Sequence, residues 1–377
     1  MRLHFIPFVL AVLILSACDT AVTEVSPEPD PTEDPAITAR LDLPTEPFDY
    51  ASNMVPAFAR QDADGEDNTP ASNRVTDWGA TLGRVLFYDT ALSANRTVSC
   101  ASCHQQEHGF ADPVPLSIGF DGDQTGRNAM SVANIRFYRN GNMFWDERAM
   151  SVEEQALLPI QDAAEMGLTL DELVTRINAA DYYDDLFERA FGSSEVSTQR
   201  IANAIAQFER SMVTFNSRFD QARAGAPARP GQDLPGLTAE ENEGLRLFFS
   251  GRTQCANCHR GVLAVGDQAR NNGLDLDTRA DQGAGQGRFK TASLRNIELT
   301  GPYMHDGRFA TLREVIEFYN TGIQDHPNLD NRLQQNGRPR RMNLSNQEVD
   351  ALVAFLETMT DPTLATDERF SDPFVRD

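Results

Sequence analysis

Lysine is almost absent from this chain of 377 residues, since Lys290 is the single lysine among 33 basic residues. Acidic residues number 56, and the formal net charge of −23 argues against nucleic-acid binding, which needs clustered positive charge. A surface of this kind is well solvated and is compatible with a basic protein partner. Long apolar runs are missing after residue 15, so no later segment is predicted to cross a membrane.

The start of the chain has the pattern of an export signal. Residues 1–17 contain an early Arg2 and an apolar run over residues 6–15, which is too short to span a bilayer. The sequence Leu-Ser-Ala-Cys, which ends at Cys18, fits a bacterial lipobox, so Cys18 is predicted to carry a lipid. Ordinary cleavage nearby, leaving Cys18 as a free thiol, is the alternative. The protein is therefore expected in the periplasm, anchored to a bacterial membrane.

Composition divides the rest of the chain. Residues 18–70 are rich in Pro, Asp, Glu and Thr and are predicted to form a flexible tether, since they bury too little apolar surface to become ordered. The remaining roughly 300 residues suit two domains of ordinary size. A segment with several Gly and Pro residues at 222–235 marks the boundary. The predicted divisions are a first domain over 71–230, a second over 231–362 and a tail over 363–377.

Four of the five cysteines lie in two Cys-x-x-Cys-His motifs. These are Cys100-Ala-Ser-Cys103-His104 and Cys255-Ala-Asn-Cys258-His259. In such a motif the two thiols add to the vinyl groups of a haem and the histidine ligates its iron. Redox disulfides and zinc half-sites are the alternatives, but a structural zinc needs four protein ligands and histidine is scarce elsewhere. Two motifs in an exported chain predict two covalently bound c-type haems.

The two motifs belong to an internal duplication. Residues 82–88 and 244–249 are similar amphipathic stretches, and each leads into a haem motif. Capping boxes predict helix starts where an apolar pattern of helical period follows. They begin at Thr169, Thr238, Thr311 and Ser345. Because strand-like alternation is not sustained, we predict a mostly α fold with two cytochrome c-like domains.

The second iron ligand decides what each haem can do. A strong second ligand gives an electron carrier, whereas an open position lets peroxide or oxygen react. Outside the two motifs and the signal, the only histidines are His108, His305 and His326. Histidine is therefore in short supply as a second ligand.

Residues 78–360, approximately, resemble the bacterial di-haem cytochrome c peroxidases and their relative MauG. The resemblance is carried by Arg127-Asn128, Phe144-Trp145-Asp146, Glu154-Gln155-Ala156, Pro159, Glu165-Met166, residues 293–297 and residues 301–307. It implies a peroxide-reacting first haem, an electron-reservoir second haem and an electron-transfer role for Trp145 between them. It also implies that Glu165 moves a proton on bound peroxide, and that Gln155 and Pro159 line that pocket.

Two departures from the peroxidase pattern are informative. Many family members cap the first iron with a histidine in a loop that here reads Ser-Ile-Gly-Phe and ends at Phe120. Phenylalanine cannot ligate iron, so the first haem is predicted to be open in the resting protein; a compensating ligand from His108 is the alternative. At the second haem, Tyr319 holds the place of the usual methionine, as in the MauG- and MbnH-like branch. Met304 and Met342 are competing ligands.

The resemblance further implies a calcium ion held by the Asn128 side chain and the carbonyls of Thr300 and Pro302. The leading hypothesis is a peroxide-dependent oxidoreductase that oxidises an exported protein partner. This is what the resemblance implies, because members of the Tyr-ligand branch oxidise tryptophan residues of their partner proteins. The runner-up is a cytochrome c peroxidase that removes hydrogen peroxide with a small electron-donor protein. The third hypothesis is a tethered electron-transfer cytochrome without enzymatic activity.

Overall fold

The computed structural model describes residues 40–52, 55–226 and 231–376. The predicted signal, Cys18 and residues 18–39 of the predicted tether lie outside the described residues. Within the described ranges, no helix is both long and apolar enough to cross a bilayer.

Helices dominate the described part of the chain, as predicted. The α-helices are α1 Arg60–Glu66, α2 Asp77–Tyr88, α3 Cys100–Cys103, α4 Val152–Gln161, α5 Leu170–Ala179, α6 Tyr182–Phe191, α7 Thr198–Ser211, α8 Arg218–Ala224, α9 Ala239–Phe248, α10 Leu312–Glu317 and α11 Asn346–Glu357. The strands are β1 Arg40–Leu41, β2 Gln334–Gln335, β3 Arg338–Pro339 and β4 Phe374–Val375. Strand β1 pairs antiparallel with β4, and β2 pairs antiparallel with β3.

Local sequence sets the helix starts, as the capping boxes predicted. Thr238, Thr311 and Ser345 each accept a hydrogen bond from the backbone N–H three residues later, and the glutamate at that position bonds back to the cap. Thr169 caps α5 through the N–H of Glu172. These bonds satisfy N–H groups that the first helical turn leaves without partners.

A close helix crossing lies at the centre of each half. In the first half α2 packs on α7, and a Cβ placed on Gly83 would lie only 1.9 Å from the carbonyl oxygen of Ala204. In the second half α9 packs on α11, and a Cβ on Gly244 would lie 1.9 Å from the carbonyl oxygen of Ala351. The absent side chain at each position lets the two backbones approach, so the duplication seen in the sequence is a duplication of the helix pair.

The predicted tether is wrong for its described part. Strand β1 pairs with β4, Tyr50 is 5% exposed, and Ala59 and Ala63 lie in the core around α9 and α11. The composition of residues 18–70 is acidic and proline-rich on average. Its apolar residues, Val55 among them, are nevertheless enough to dock this segment onto a surface formed by distant parts of the chain.

The predicted C-terminal tail is also wrong as a separate segment. Phe370 is 2% exposed and packs against Tyr50, Phe110 and Phe208 of the first half. The hydroxyl of Tyr88 donates to the carbonyl of Phe370 at 2.6 Å. The chain therefore returns from the second half to cover the first, an arrangement that local sequence patterns do not encode.

The boundary at residues 230/231 stays a prediction, but the helix before it packs on the second half. Helix α8 precedes it, yet the ring of Phe219 packs on Phe355 at 5.8 Å between centroids. Asp220 forms a fully buried ion pair with Arg295. The glycines and prolines at 222–235 thus connect α8 to α9 within the second half, because turn residues mark a change of direction and not necessarily a change of domain.

Candidate active site

One cavity of about 770 Å³ is lined by both Cys-x-x-Cys-His motifs. Its lining includes Cys100, Cys103, His104, Cys255, Cys258 and His259. The tertiary structure therefore brings together two motifs that are more than 150 residues apart in the sequence. None of these four cysteines forms a disulfide. They are consequently available for the thioether bonds of two haems.

Each motif is folded as a tight turn that directs its histidine into the cavity. The first motif forms α3, which begins after a reciprocal capping box between Ser99 and Ser102. The second motif begins a 3₁₀ turn over Cys255–Asn257. In both turns the histidine N–H donates to the carbonyl of the first cysteine, at 3.0 Å for His104 and 2.9 Å for His259. This bond fixes each histidine relative to its two thiols.

The histidine rings are oriented by backbone carbonyls. Nδ1 of His104 lies 3.0 Å from the carbonyl of Phe110, and Nδ1 of His259 lies 3.3 Å from that of Ala264. A carbonyl partner requires the proton on Nδ1, which leaves Nε2 as the nitrogen that ligates metal. Burial lowers the pKa of both imidazoles, to about 4 for His259. The neutral form needed for ligation is thus favoured, and the donor set fits two c-type haems.

Glu165 and Gln155 line the cavity together with the first motif, as does Pro159. Burial, followed by the charge of Asp162, raises the pKa of Glu165 to about 7, while Arg148 acts in the opposite direction. Both protonation states of Glu165 are therefore populated near neutral pH, as a general acid–base requires. Gln155 is 8% exposed, and its Oε1 has no hydrogen-bond partner in the described protein. A buried polar atom of this kind fits a pocket for a small polar substrate.

Phe120 supports the backbone beside Glu165. Its N–H donates to the carbonyl of Glu165 at 2.9 Å. Its ring packs on Gly167, where an added Cβ would lie 2.3 Å from a ring carbon. Neither Phe120 nor His108 is among the cavity-lining residues, and His108 lies in the 3₁₀ turn Gln106–His108.

Trp145 also lines the shared cavity. Its Nε1 donates to the carbonyl of Asn128 at 2.8 Å, and its own carbonyl accepts from the N–H of Lys290 at 2.8 Å. These bonds tie the Trp145 loop to Asn128 in the first half and to Lys290 in the second half. The indole is consequently held in a defined position within the space that the two motifs share.

All three candidate second ligands, Tyr319, Met304 and Met342, line the cavity. Tyr319 lies in a π-helical turn over Phe318–Gly322, a distortion often found at functional sites. The amide Nδ2 of Asn272 donates to the Tyr319 hydroxyl at 3.3 Å and lies 3.8 Å from the Met304 sulfur. Burial raises the pKa of Tyr319 to about 12. Tyr319 and Met304 are therefore neighbours that share one amide partner.

The predicted calcium ligands lie along the same cavity, whose lining includes Asn128, Thr300 and Pro302. The Nδ2 of Asn128 donates to the carbonyls of residues 114 and 115 at 3.2 and 3.3 Å, which leaves Oδ1 as its acceptor atom. Among the described residues, no cluster of three or more His, Cys, Asp or Glu side chains suits a metal. A calcium ion here would rely on amide and carbonyl oxygens.

Several cavity residues were not identified from sequence. Glu209 on α7 is 2% exposed, and burial raises its pKa to about 8. Lys290 and Tyr138 are also buried and line the cavity, as does Asn272. Among these residues only Lys290 had a sequence signal, since it is the single lysine of the chain. A lone buried glutamate or tyrosine cannot be told from an exposed one by sequence.

Comparisons with known proteins agree with this site. The family model of the di-haem cytochrome c peroxidases matches residues 78–228. MauG, the methylamine utilization protein of Methylorubrum extorquens, is 33% identical over 304 residues, which cover 77% of this chain and 80% of MauG. Cytochrome c551 peroxidase of Nitrosomonas europaea is 36% identical over 293 residues, covering 74% and 79%.

A solved structure is similar over nearly its whole length. The crystal structure of a MauG-like protein associated with microbial copper homeostasis has a TM-score of 0.73 and 34% identity, covering 86% of this chain and 99% of that one. The fold and site define a haem peroxidase with two cytochrome c-like domains and two c-type haems. This chain belongs to the di-haem cytochrome c peroxidase and MauG family. The predicted fold class, the two c-type haems and the haem peroxidase activity are confirmed.

Proposed function

We propose that this peroxidase reacts with hydrogen peroxide at an open first haem and uses both haems to oxidise an exported protein partner. The observation that carries the proposal is the cavity that both motifs line together with Glu165, Trp145 and Tyr319. One pocket therefore contains a proton carrier, an oxidisable indole and a phenol that could ligate iron as tyrosinate. When bound, the haems supply the iron that accepts the oxidising equivalents of peroxide.

Glu165 is proposed to move the proton in the peroxide reaction. A carboxylate near its pKa accepts a proton from the oxygen that binds first and returns it to the departing oxygen. A pKa of about 7 suits both the uptake and the release of the proton. The N–H of Phe120 holds the Glu165 backbone, so the residue that replaces the capping histidine also positions the acid–base group.

Trp145 is proposed to carry electrons between the haems. Its ring lies in the shared cavity, and its Nε1 hydrogen bond to Asn128 keeps it in one orientation. A fixed aromatic ring shortens each electron-transfer step across the cavity. No other tryptophan lines the cavity; the second tryptophan, Trp78, lies on α2.

Tyr319 is proposed as the second ligand of the second haem. A tyrosinate is a hard anionic donor that favours more oxidised iron. The Asn272 amide stabilises charge on the phenolic oxygen and lowers the Tyr319 pKa against the effect of burial. Met304 is the competing ligand, because its sulfur lies near the same amide.

A specific observation favours a second candidate function. Cytochrome c551 peroxidase of Nitrosomonas europaea is as similar to this chain as MauG is, and Met304 is available as a thioether ligand. The chain would then remove hydrogen peroxide with electrons from a small donor protein. The electron-transfer cytochrome is disfavoured, since Phe120 replaces the capping histidine and its ring packs on Gly167.

Two further properties belong to the proposal. A calcium ion bound through Asn128, Thr300 and Pro302 would hold the loop before Trp145 against the loop before Tyr319. Export to the periplasm and lipidation at Cys18 would keep the enzyme at a membrane. Labelled palmitate is expected to be incorporated into the wild type and not into Cys18→Ala, while equal labelling of both would contradict the lipid anchor.

Electron paramagnetic resonance of the oxidised, fully haem-loaded protein tests the open site. One high-spin and one low-spin ferric signal are expected, whereas low-spin signals alone would contradict it. Mössbauer spectroscopy after stoichiometric peroxide then separates the two candidate functions. Oxidation of both irons beyond the ferric state, without prior reduction, supports the first function. In the first species that forms, oxidation of one iron together with a radical on its own porphyrin supports the plain peroxidase.

A further inference from the structure

Three side chains outside the predicted site, the buried Tyr138 and Lys290 and the half-buried Glu147, form a cluster at the shared cavity. Tyr138 is 2% exposed and its hydroxyl donates to the carboxylate of Glu147. The ammonium of Lys290 lies 3.8 Å from the centre of the Tyr138 ring and donates to the carbonyl of Asn142 at 2.8 Å. Tyr138 and Lys290 line the same cavity as both haem motifs.

The cluster adjoins Trp145. The backbone N–H of Lys290 donates to the carbonyl of Trp145 at 2.8 Å, while its side chain contacts the Tyr138 ring. Glu147 is only two residues beyond Trp145 on the same loop. Tyr138 is therefore held beside the proposed electron-transfer residue through two independent connections.

Glu147 occupies a backbone conformation that suits glycine. Its φ is +57°, and the corresponding residue of the second half is Gly307, with a φ of +66°. The two loops match closely, since the bridge between Met143 and Ala149 has its counterpart between Tyr303 and Phe309. A side chain at this φ strains the backbone, and such strain is characteristic of functional sites. The Glu147 carboxylate is the hydrogen-bond partner of the Tyr138 hydroxyl.

We propose that Tyr138 is a second redox-active residue of this enzyme and that Glu147 is the base that accepts its proton. This inference rests on the proposed function, in which Trp145 carries electrons between the haems and is therefore transiently oxidised after peroxide has reacted. One electron passes from Tyr138 to oxidised Trp145, which returns to its closed-shell state. The O–H bond of Tyr138 breaks and a new O–H bond forms on Glu147, leaving a neutral tyrosyl radical and a carboxylic acid.

The chemistry of the cluster suits that step. Burial and the Glu147 carboxylate raise the pKa of Tyr138, so the phenol keeps its proton until it is oxidised. Removing an electron and a proton together avoids a charged radical in a buried site. Tyr303 provides the contrast within the same cavity, because its hydroxyl donates to the carbonyl of Ile297 at 3.0 Å, and a carbonyl cannot store the proton.

The test uses the di-haem protein, stoichiometric peroxide and rapid freeze-quench electron paramagnetic resonance. A radical whose hyperfine splitting changes with ring-deuterated tyrosine is expected in the wild type and in the matched control Tyr303→Phe. Tyr138→Phe should abolish it. Glu147→Gln should slow its formation about a hundredfold, as loss of a positioned base typically does. A signal unchanged in Tyr138→Phe or Glu147→Gln, or one insensitive to tyrosine deuteration, would overturn the proposal.

Two controls keep the test interpretable. Glu147→Gly removes the base while installing the residue of the second half, so the radical should be lost from a protein that still folds. If peroxide leaves the wild-type haem absorption unchanged, the proposed function is wrong. The same variants are then oxidised with hexachloroiridate(IV), a one-electron oxidant. A tyrosyl signal in wild type and Tyr303→Phe but not in Tyr138→Phe supports the inference, and equal signals in all three contradict it.

Discussion

The two halves share a backbone framework but differ at the residues that face the haem sites. The loop around Phe144 in the first half and that around Met304 in the second both contain a residue at positive φ, +69° and +77°. Each loop leads into a helix capped at the equivalent position, Ser151 or Thr311. Trp145 in the first loop corresponds by position to His305 in the second. Duplication therefore preserved the geometry while side-chain replacement changed the chemistry.

The same register accounts for the difference in iron ligation that we propose. Counting from the two caps, Pro159 on α4 corresponds to Tyr319, and both residues line the cavity. A proline side chain cannot ligate iron, whereas a tyrosine can. Helix α4 stays α-helical through Pro159, while the second half changes to a π-helical turn at Phe318. Under the proposed function, the same helical position would leave the first site open and give the second site its ligand.

The largest expected effect comes from Tyr319→Met, which gives the second site a neutral thioether. Its reduction potential should rise by a few tenths of a volt, roughly, since methionine favours ferrous iron more than tyrosinate does. Spectroelectrochemical titration measures the potential of each haem. Met304→Leu is the control and should leave it unchanged. An unchanged potential in Tyr319→Met together with a shift in Met304→Leu would identify Met304 as the ligand.

Glu165→Gln should affect only the first half. We expect both haems to stay bound while the reaction with peroxide slows by about a hundred- to ten-thousandfold, the usual contribution of general acid–base catalysis. In the wild type the rate should rise as pH increases through about 7, since the deprotonated carboxylate accepts the proton. Stopped-flow absorption provides the rates. A variant with the same rate and pH profile as wild type would remove Glu165 from the mechanism.

Alanine at the two helix crossings tests whether the halves are equivalent in packing. Gly83→Ala and Gly244→Ala should each destabilise the protein by about 3 kcal/mol, because the added Cβ overlaps a backbone carbonyl. Gly251→Ala is the control, since its Cβ would meet nothing within 4 Å. Chemical denaturation measures the free energies of unfolding. A large loss in one crossing variant and none in the other would show that only one crossing is tight.

The smallest effect concerns Lys290, the single lysine of the chain. Burial lowers the Lys290 pKa from 10.5 to about 7. Between these values the unfolded chain binds more protons, so this residue makes stability rise with pH, by at most about 1.4 kcal/mol per pH unit. In Lys290→Met this contribution is absent, so the free energy of unfolding should increase less between about pH 7 and about pH 9 than it does in the wild type. An equal rise in both proteins would contradict the buried, shifted amine.

Sequence alone determined the features that depend on neighbouring residues. The Cys-x-x-Cys-His motifs and the caps at Thr238, Thr311 and Ser345 each act within a few residues, so their spacing carries the information. The family's motifs extended this to the cavity position of Glu165, Trp145 and Tyr319. Their chemical roles are the proposals that the variants above examine.

Only the tertiary structure decided which distant residues meet. Phe370 packs against Phe208, and Asn142 accepts a hydrogen bond from Lys290 across 148 residues. Tyr138 and Glu147 are near in sequence, but only the folded loop shows that one donates to the other beside the haem motifs. Local patterns report periodicity and turns, whereas burial and pKa depend on which surfaces come together. The buried cluster and the docked C-terminus therefore emerged only from the three-dimensional packing.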